Sequence, residues 1–196
     1  ASRWMENGSK VGNEGVNTYT INNIQADHDI TANFAPNTHT ITIEPNNTSY
    51  GSVSQGSITV PHGATITTSG NTLTVDGTTV TANPAQATGQ YTYAFSEWSN
   101  VPTTVTGNVT ITANFTQTVN NYTVTIEPND ANYGSVSPVS VTSVPYGTTI
   151  TTSDNTLMVG STTVTATPQA STAQYTYAVS QWSNAPTTAT GNVTIT

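Results

Sequence analysis

The side chains able to carry chemistry in this chain are few and scattered. The sequence holds ten Asp and Glu, three His, Arg3 and Lys10 as its cations, and no Cys. The densest group is Asp27-His28-Asp29, where two carboxylates and an imidazole could hold a divalent cation. On a strand, however, successive side chains point to opposite faces, so His28 would look away from both carboxylates. A turn leading into Ile30-Thr31-Ala32 fits these residues better. Asn129-Asp130, close to Tyr133-Gly134, could lend oxygens to calcium, but Asn46-Asn47 stands at the matching place earlier in the chain. Trp98 and Trp182, with Tyr91, Tyr93, Phe95, Tyr175 and Tyr177, could form a platform on which sugar rings stack. Core packing is the competing reading, since a small domain with three Trp and three Phe needs its large rings inside. Asn-x-Ser/Thr triplets begin at Asn7, Asn46, Asn47, Asn108, Asn114, Asn121 and Asn192, acceptors for N-glycans if the source organism makes them.

The elements that must position these residues are set by a repeat. Thr42-Ile43-Glu44-Pro45 recurs as Thr125-Ile126-Glu127-Pro128, and Tyr50-Gly51-Ser52-Val53-Ser54 as Tyr133-Gly134-Ser135-Val136-Ser137, both at an offset of 83. From Pro61-x-Gly63 and Pro145-x-Gly147 onward the offset is 84, so one residue is inserted between the two landmarks. The match continues through Trp98-Ser99-Asn100 with Trp182-Ser183-Asn184 to Gly107–Thr112 with Gly191–Thr196. Ile30-Thr31-Ala32-Asn33-Phe34 matches Ile111-Thr112-Ala113-Asn114-Phe115, so the first residues read as the back half of a further, divergent unit. This gives 1–35 as a C-terminal half-repeat, 36–118 as a full repeat, and 119–196 as a second full repeat lacking its last strand residues. Both ends cut a repeat, which predicts a piece of a longer array.

A catalytic array built into the repeat should be present in both copies. His62 is replaced by Tyr146, Glu97 by Gln181, Asp76 by Gly160, and Asp154 faces Gly70. Among the acids of the two full units, only Glu44 and Glu127 persist, and their place just before a Pro suits solvated strand ends. No Ser-His-Asp set can be assembled within a unit. The reading is therefore of no enzyme, with no catalytic residue, no metal and no cofactor.

Each unit reads as strands. Apolar residues alternate with Thr in Tyr122–Glu127 and Val109–Phe115, the period of a half-buried strand. Roughly one residue in five is Thr, far above ordinary usage, and its branched Cβ favours extended backbone while its hydroxyl keeps the outer face wet. Leu73–Val80 is a predicted hairpin with Asp76-Gly77 at the positions that need positive φ, where the second unit has Gly160-Ser161. The fold class is all-β, in tandem small β-domains with little or no helix.

Charged residues make up 6% of the chain and the net charge is -8, so nothing here could neutralise phosphates. Nucleic acid and anionic membranes are excluded as partners, and no run approaches the ~18 apolar residues of a membrane-spanning helix. The absence of Cys removes disulfide and thiolate chemistry. A surface of Thr, Ser, Asn and Gln with almost no Lys points to an extracellular, cell-surface or secreted setting.

The order of landmarks carries a resemblance. Each unit has an opening strand ending in Pro, then Tyr-Gly-Ser-Val-Ser, Val-Pro-x-Gly-x-x-Ile, an aromatic strand into Trp, and Asn-Val-Thr-Ile-Thr. The first unit closes on Ala113-Asn114-Phe115. The N-terminal piece adds Trp4-x-x-Asn7-Gly8 and Tyr19-Thr20-Ile21-x-Asn23-Ile24. This resembles the divergent B-repeat family of internalin-type surface proteins, the Listeria–Bacteroides repeat. The full units depart from it in carrying the additional Leu73–Val80 hairpin. The resemblance implies a small β-grasp-like fold, with an immunoglobulin-like sandwich as the alternative, and a stalk or adhesive role without catalysis. The expected function is a structural segment acting as stalk, spacer or filament-forming module. An adhesin or carbohydrate-binding module using exposed aromatics is the alternative. Expected partners are neighbouring repeats or copies of itself, joined head to tail through the half-unit, and glycans under the alternative.

Overall fold

The computed structural model describes residues 3–196, and no helix occurs among them. The chain is all-β, built of several small sheets. Strands β1 (Arg3–Glu6) and β2 (Ser9–Val11) form a hairpin whose turn, Asn7-Gly8, has φ of 47° and 77°. Asn and Gly are the residues that tolerate this left-handed backbone at both turn positions. Strand β3 (Ile30–Asn33) adds antiparallel to β1, giving the order β2-β1-β3 with β3 at an edge. No residue described in this sheet is buried.

The remainder divides with it into two compact units, one of residues 3–84 with Phe95–Phe115, the other of Ala85–Ala94 with Thr116–Thr196. Eight strands follow in the first repeat: β4 (Thr38–Pro45), β5 (Gly51–Val53), β6 (Ser57–Pro61), β7 (Ile66–Ser69), β8 (Thr72–Val75), β9 (Thr78–Pro84), β10 (Tyr91–Ser99) and β11 (Val109–Val119). They make two sheets, β10-β11-β4-β6 and β5-β9-β8-β7. In the first, β11 runs parallel to β4, with Ile111 opposite Ile43, while β6 is antiparallel to β4. The sheet is thus mixed, its first and last strands side by side and parallel, and the β5-β9-β8-β7 sheet packs against it through the core.

The core lies between the sheets because the alternating apolar residues of both point inward. Ile41, Ile43, Ile58, Val60 and Ile111 from one sheet meet Ile66, Leu73, Val75 and Val80 from the other. Five of these, Ile41, Leu73, Val75, Val80 and Ile111, are fully buried, and the interior holds no buried polar residue among those described. The expected hairpin is present: Val75 pairs with Thr78 across Asp76-Gly77, whose φ values are 46° and 81°.

The second repeat rebuilds this plan with β12 (Asn121–Ile126), β13 (Gly134–Ser137), β14 (Ser140–Pro145), β15 (Ile150–Ser153), β16 (Thr156–Val159), β17 (Thr162–Pro168) and β18 (Val193–Ile195). Its sheets are β14-β12-β18 and β13-β17-β16-β15, again with a parallel pair, β12 and β18. Val124, Ile126, Val144, Leu157, Val164 and Ile195 make the equivalent core. Even the turn hydrogen bonds repeat: Gly63 N–H to Val105 O at 2.8 Å becomes Gly147 N–H to Ala189 O at 2.7 Å. The inserted residue has a definite place. Between the pairs Tyr122–Val144 and Val124–Val141, Thr142 and Ser143 oppose Thr123 alone, a β-bulge with Ser143 at φ 57°.

Candidate functional site

The polar clusters resolve differently from their appearance in the sequence. Asp27, His28 and Asp29 precede β3 outside any strand. His28 turns to Glu6 rather than to its neighbours: its Nδ1 bonds Glu6 Oε1, and Tyr19 OH donates to Glu6 Oε2 at 2.5 Å. Asp29 is held by Asn7, whose Oδ1 accepts the Asp29 N–H at 2.9 Å. The Tyr19 hydroxyl and then His28 hold the Glu6 carboxyl below the usual carboxylate range, and the same bond raises the Tyr19 phenol above its ordinary value. Arg3 does the same for Glu14, by hydrogen bond and charge. The arrangement is a hydrogen-bonded trio of Glu6, Tyr19 and His28 beside the N-terminal sheet.

A second cluster escaped sequence reasoning. His39 Nε2 lies 3.1 Å from His62 Nδ1, their rings 5.3 Å apart, His39 on β4 and His62 in the turn that follows β6. The sequence separation of 23 residues hid the pair, although both positions become Tyr, Tyr122 and Tyr146, in the second unit. Two imidazoles supply half of a tetrahedral metal set. Among the described residues no group of three His, Cys, Asp or Glu converges. Glu44 and Glu127 are exposed, and Asp130 turns its Oδ1 on Asn132.

The glycosylation triplets are largely woven into the fold. Asn108 Oδ1 accepts the Thr40 N–H at 2.9 Å, and Asn192 Oδ1 accepts the Thr123 N–H at the same distance, which accounts for their recurrence. Asn47 Oδ1 accepts the Ser49 N–H. Asn46 and Asn114 use the Nδ2 atom that a glycan would need, on Phe115 O and Ser99 Oγ respectively. Asn121 is exposed at the start of β12.

The aromatic candidates separate: Tyr91 and Tyr93 pair with each other at 6.3 Å on β10, while Phe95 and Trp98 meet around Phe115. In the first unit, Phe115 is 3% exposed and packs with Ala82 and Ala113, flanked by Tyr50, Val53, Phe95 and Trp98. The Phe95 ring stands 5.9 Å from Phe115 and 5.4 Å from Trp98. Gly51 permits this approach, since a Cβ there would stand 2.5 Å from the Phe115 ring. Asn46 clamps the strand: its N–H donates to Ala113 O, its Oδ1 accepts the Phe115 N–H at 3.0 Å, and its Nδ2 donates to Phe115 O at 3.1 Å. Trp98 is half-buried against the core, with a buried Nε1 that has no hydrogen-bond partner.

In the second unit the same residues surround a cavity of about 160 Å³, its wall including Asn129, Tyr133, Gly134, Val136, Ala166 and Trp182. Trp182 is half-buried, its Nε1 donating to Asp154 O at 3.1 Å. Tyr133 and Tyr175 are 54% and 56% exposed, and Tyr177 bridges them with ring separations of 5.8 and 6.5 Å. Comparison of the chain with protein-family models, with curated proteins and with solved structures finds no match.

Proposed function

We propose that this chain is a non-enzymatic structural tandem-repeat segment of an extracellular surface protein, serving as stalk, spacer or filament-forming module, of the kind its resemblance to internalin-type B-repeats implies. The observation that carries the reading is the pair of aliphatic cores, one per repeat, built from equivalent residues. Apart from Glu44 and Glu127, the acids and histidines differ from one unit to the next. What repeats is packing and backbone geometry, so what is selected in each unit is a shape. Length then scales with copy number, while a Thr-rich, weakly charged surface keeps the segment in solution.

Pulling the chain from its two ends tests this. A stalk of self-contained units unfolds in two steps, each releasing roughly 250 Å for about 80 residues of extended chain. A single step or a featureless extension would contradict it. The alternative, a glycan-binding adhesin, draws on the exposed cluster of Tyr133, Tyr175 and Tyr177. Trp98 and Trp182, half-buried against their cores, favour packing over sugar stacking. A glycan array on the intact chain and on Trp182→Ala and Tyr175→Ala variants separates the two readings: aromatic-dependent binding by folded protein would favour the adhesin.

A further inference from the structure

We propose that His39 and His62 form a surface site for one borderline transition-metal ion, copper(II) ahead of nickel(II) and zinc(II), with both imidazoles as ligands and water in the remaining positions. The site lies within the first repeat. It goes beyond the stalk reading and stands or falls without it.

The geometry carries the inference. His39 Nε2 and His62 Nδ1 stand 3.1 Å apart. Two ring nitrogens bound to one ion at about 2.05 Å are separated by about 2.9 Å at a right angle and by about 3.3 Å at the tetrahedral angle. The observed separation falls between these values, so one ion reaches both nitrogens after small ring rotations, with the backbone in place. That backbone is fixed by its own bonds. His39 pairs with Val60 across β4 and β6, and Thr38 with Pro61, the residue before His62. His62 N–H donates to Asn37 O at 2.8 Å, and Gly63 N–H donates to Val105 O at 2.8 Å. Ligands held in this way lose little freedom on binding, and lost freedom is what weakens a site with few ligands.

The donor set selects the ion. Imidazole suits copper, nickel and zinc, and the affinity order among divalent ions places copper(II) highest. Among the described residues no carboxylate completes a group of three with the pair, so calcium and magnesium, which need oxygen ligands, have little to bind. As a hydrogen-bonded pair, one facing nitrogen donates to the other. On binding, that proton passes to the far nitrogen of its own ring, His39 Nδ1 or His62 Nε2, which leaves two facing lone pairs for the ion and releases no proton overall. His39 is half-buried and His62 exposed, so the remaining positions open to water. The chain's net charge of -8 favours the approach of a cation. The second repeat supplies an internal contrast. Tyr122 and Tyr146 stand at the matching places, and Tyr122 OH donates to Gly89 O at 2.6 Å. The same strands and turn recur there without the imidazoles.

The test is titration of the full chain with copper(II), nickel(II) and zinc(II) in a weakly coordinating buffer, followed by calorimetry. Copper(II) should bind saturably, one ion per chain, with a dissociation constant in the micromolar range, and the other two ions more weakly. His39→Tyr and His62→Tyr, which copy the second unit, should each weaken copper binding by more than about tenfold. His28→Gln alters the remaining histidine and should leave binding unchanged. Should a Tyr substitution disturb the fold, the unaltered chain still decides the matter: pulsed electron paramagnetic resonance of its copper complex should show two coordinated imidazoles. No saturable binding by millimolar metal overturns the site. So does binding that survives both Tyr substitutions, or a spectrum with a single imidazole. The two-step unfolding that tests the stalk reading is measured without metal, so the two ideas fail separately.

Discussion

The two full repeats share their landmarks in sequence and have equivalent aliphatic cores, yet they differ at one end. Around Phe115 the first unit has a second small apolar cluster, in which Ala82 and Ala113 are fully buried. In the second unit Ala166 is only half-buried, and the aromatic segment Tyr175–Ser183 has left the strand conformation of its counterpart. The main cores are indifferent to this, since Leu73 and Leu157 are both fully buried. The difference teaches that the aliphatic core of each unit is a cluster distinct from the aromatic packing around Phe115 in the first.

The most direct way to break the comparison is to make the first unit like the second. Phe115→Ala removes the central ring of the cluster and should destabilise the first unit by about 3–5 kcal/mol, the usual range for a buried Phe. Hydrogen exchange should accelerate along Phe95–Ser99 while protection persists at Leu73 and Val80. Equal loss throughout the unit would show that the core and the cluster are one cooperative block.

The clamp sharpens the contrast. Asn46→Ala leaves the Phe115 N–H and C=O without their side-chain partner and should cost about 1–3 kcal/mol in denaturant unfolding. Asn129→Ala, at an exposed position of the second unit, should change stability by less than about 0.5 kcal/mol. The tryptophans differ less. Trp182→Phe gives up the bond to Asp154 O, worth about 1 kcal/mol, whereas Trp98→Phe also removes a buried donor that has no partner. Trp182→Phe should therefore be the more costly of the two by a small margin in the same unfolding experiment.

The smallest effect concerns the N-terminal sheet, where Glu6 accepts from Tyr19 and bonds His28 and no residue is buried. Glu6 has a folded carboxyl held below its unfolded value, first by Tyr19 and then by His28. Its contribution is therefore present above the ordinary carboxylate range and is lost as pH falls through the lowered folded value. Protection factors at Thr31 and Ala32, corrected for the intrinsic exchange rate, should fall with acid, and Glu6→Gln should remove that dependence. The cores around Leu73 and Leu157 should not respond over the same window.

Much of the local plan was legible in the residues. Alternation marked β11 and β12, Asp76-Gly77 marked the β8–β9 turn, and the change of offset from 83 to 84 is the bulge at Thr142 and Ser143. These features follow from backbone preference and side-chain period, which a few neighbouring residues fix by themselves. The sites were less legible. The pairing of His28 with Glu6, of His39 with His62 and of Asn46 with Phe115 joins residues 22, 23 and 69 positions apart, and no spacing rule announces such partners.

By itself, then, the sequence determined an all-β chain of repeated units with sparse chemistry, because those properties reside in composition and period. Only the tertiary structure decided that the first and last strands of a unit lie parallel, that Gly51 exists to admit the Phe115 ring, and that Tyr91–Ser99 is a strand where Tyr175–Ser183 is not. The last pair makes the reason plain. A strand is stabilised by the hydrogen bonds and side-chain contacts of its neighbour, and Tyr91–Ser99 lies against the eleven-residue β11 whereas β18 has three residues.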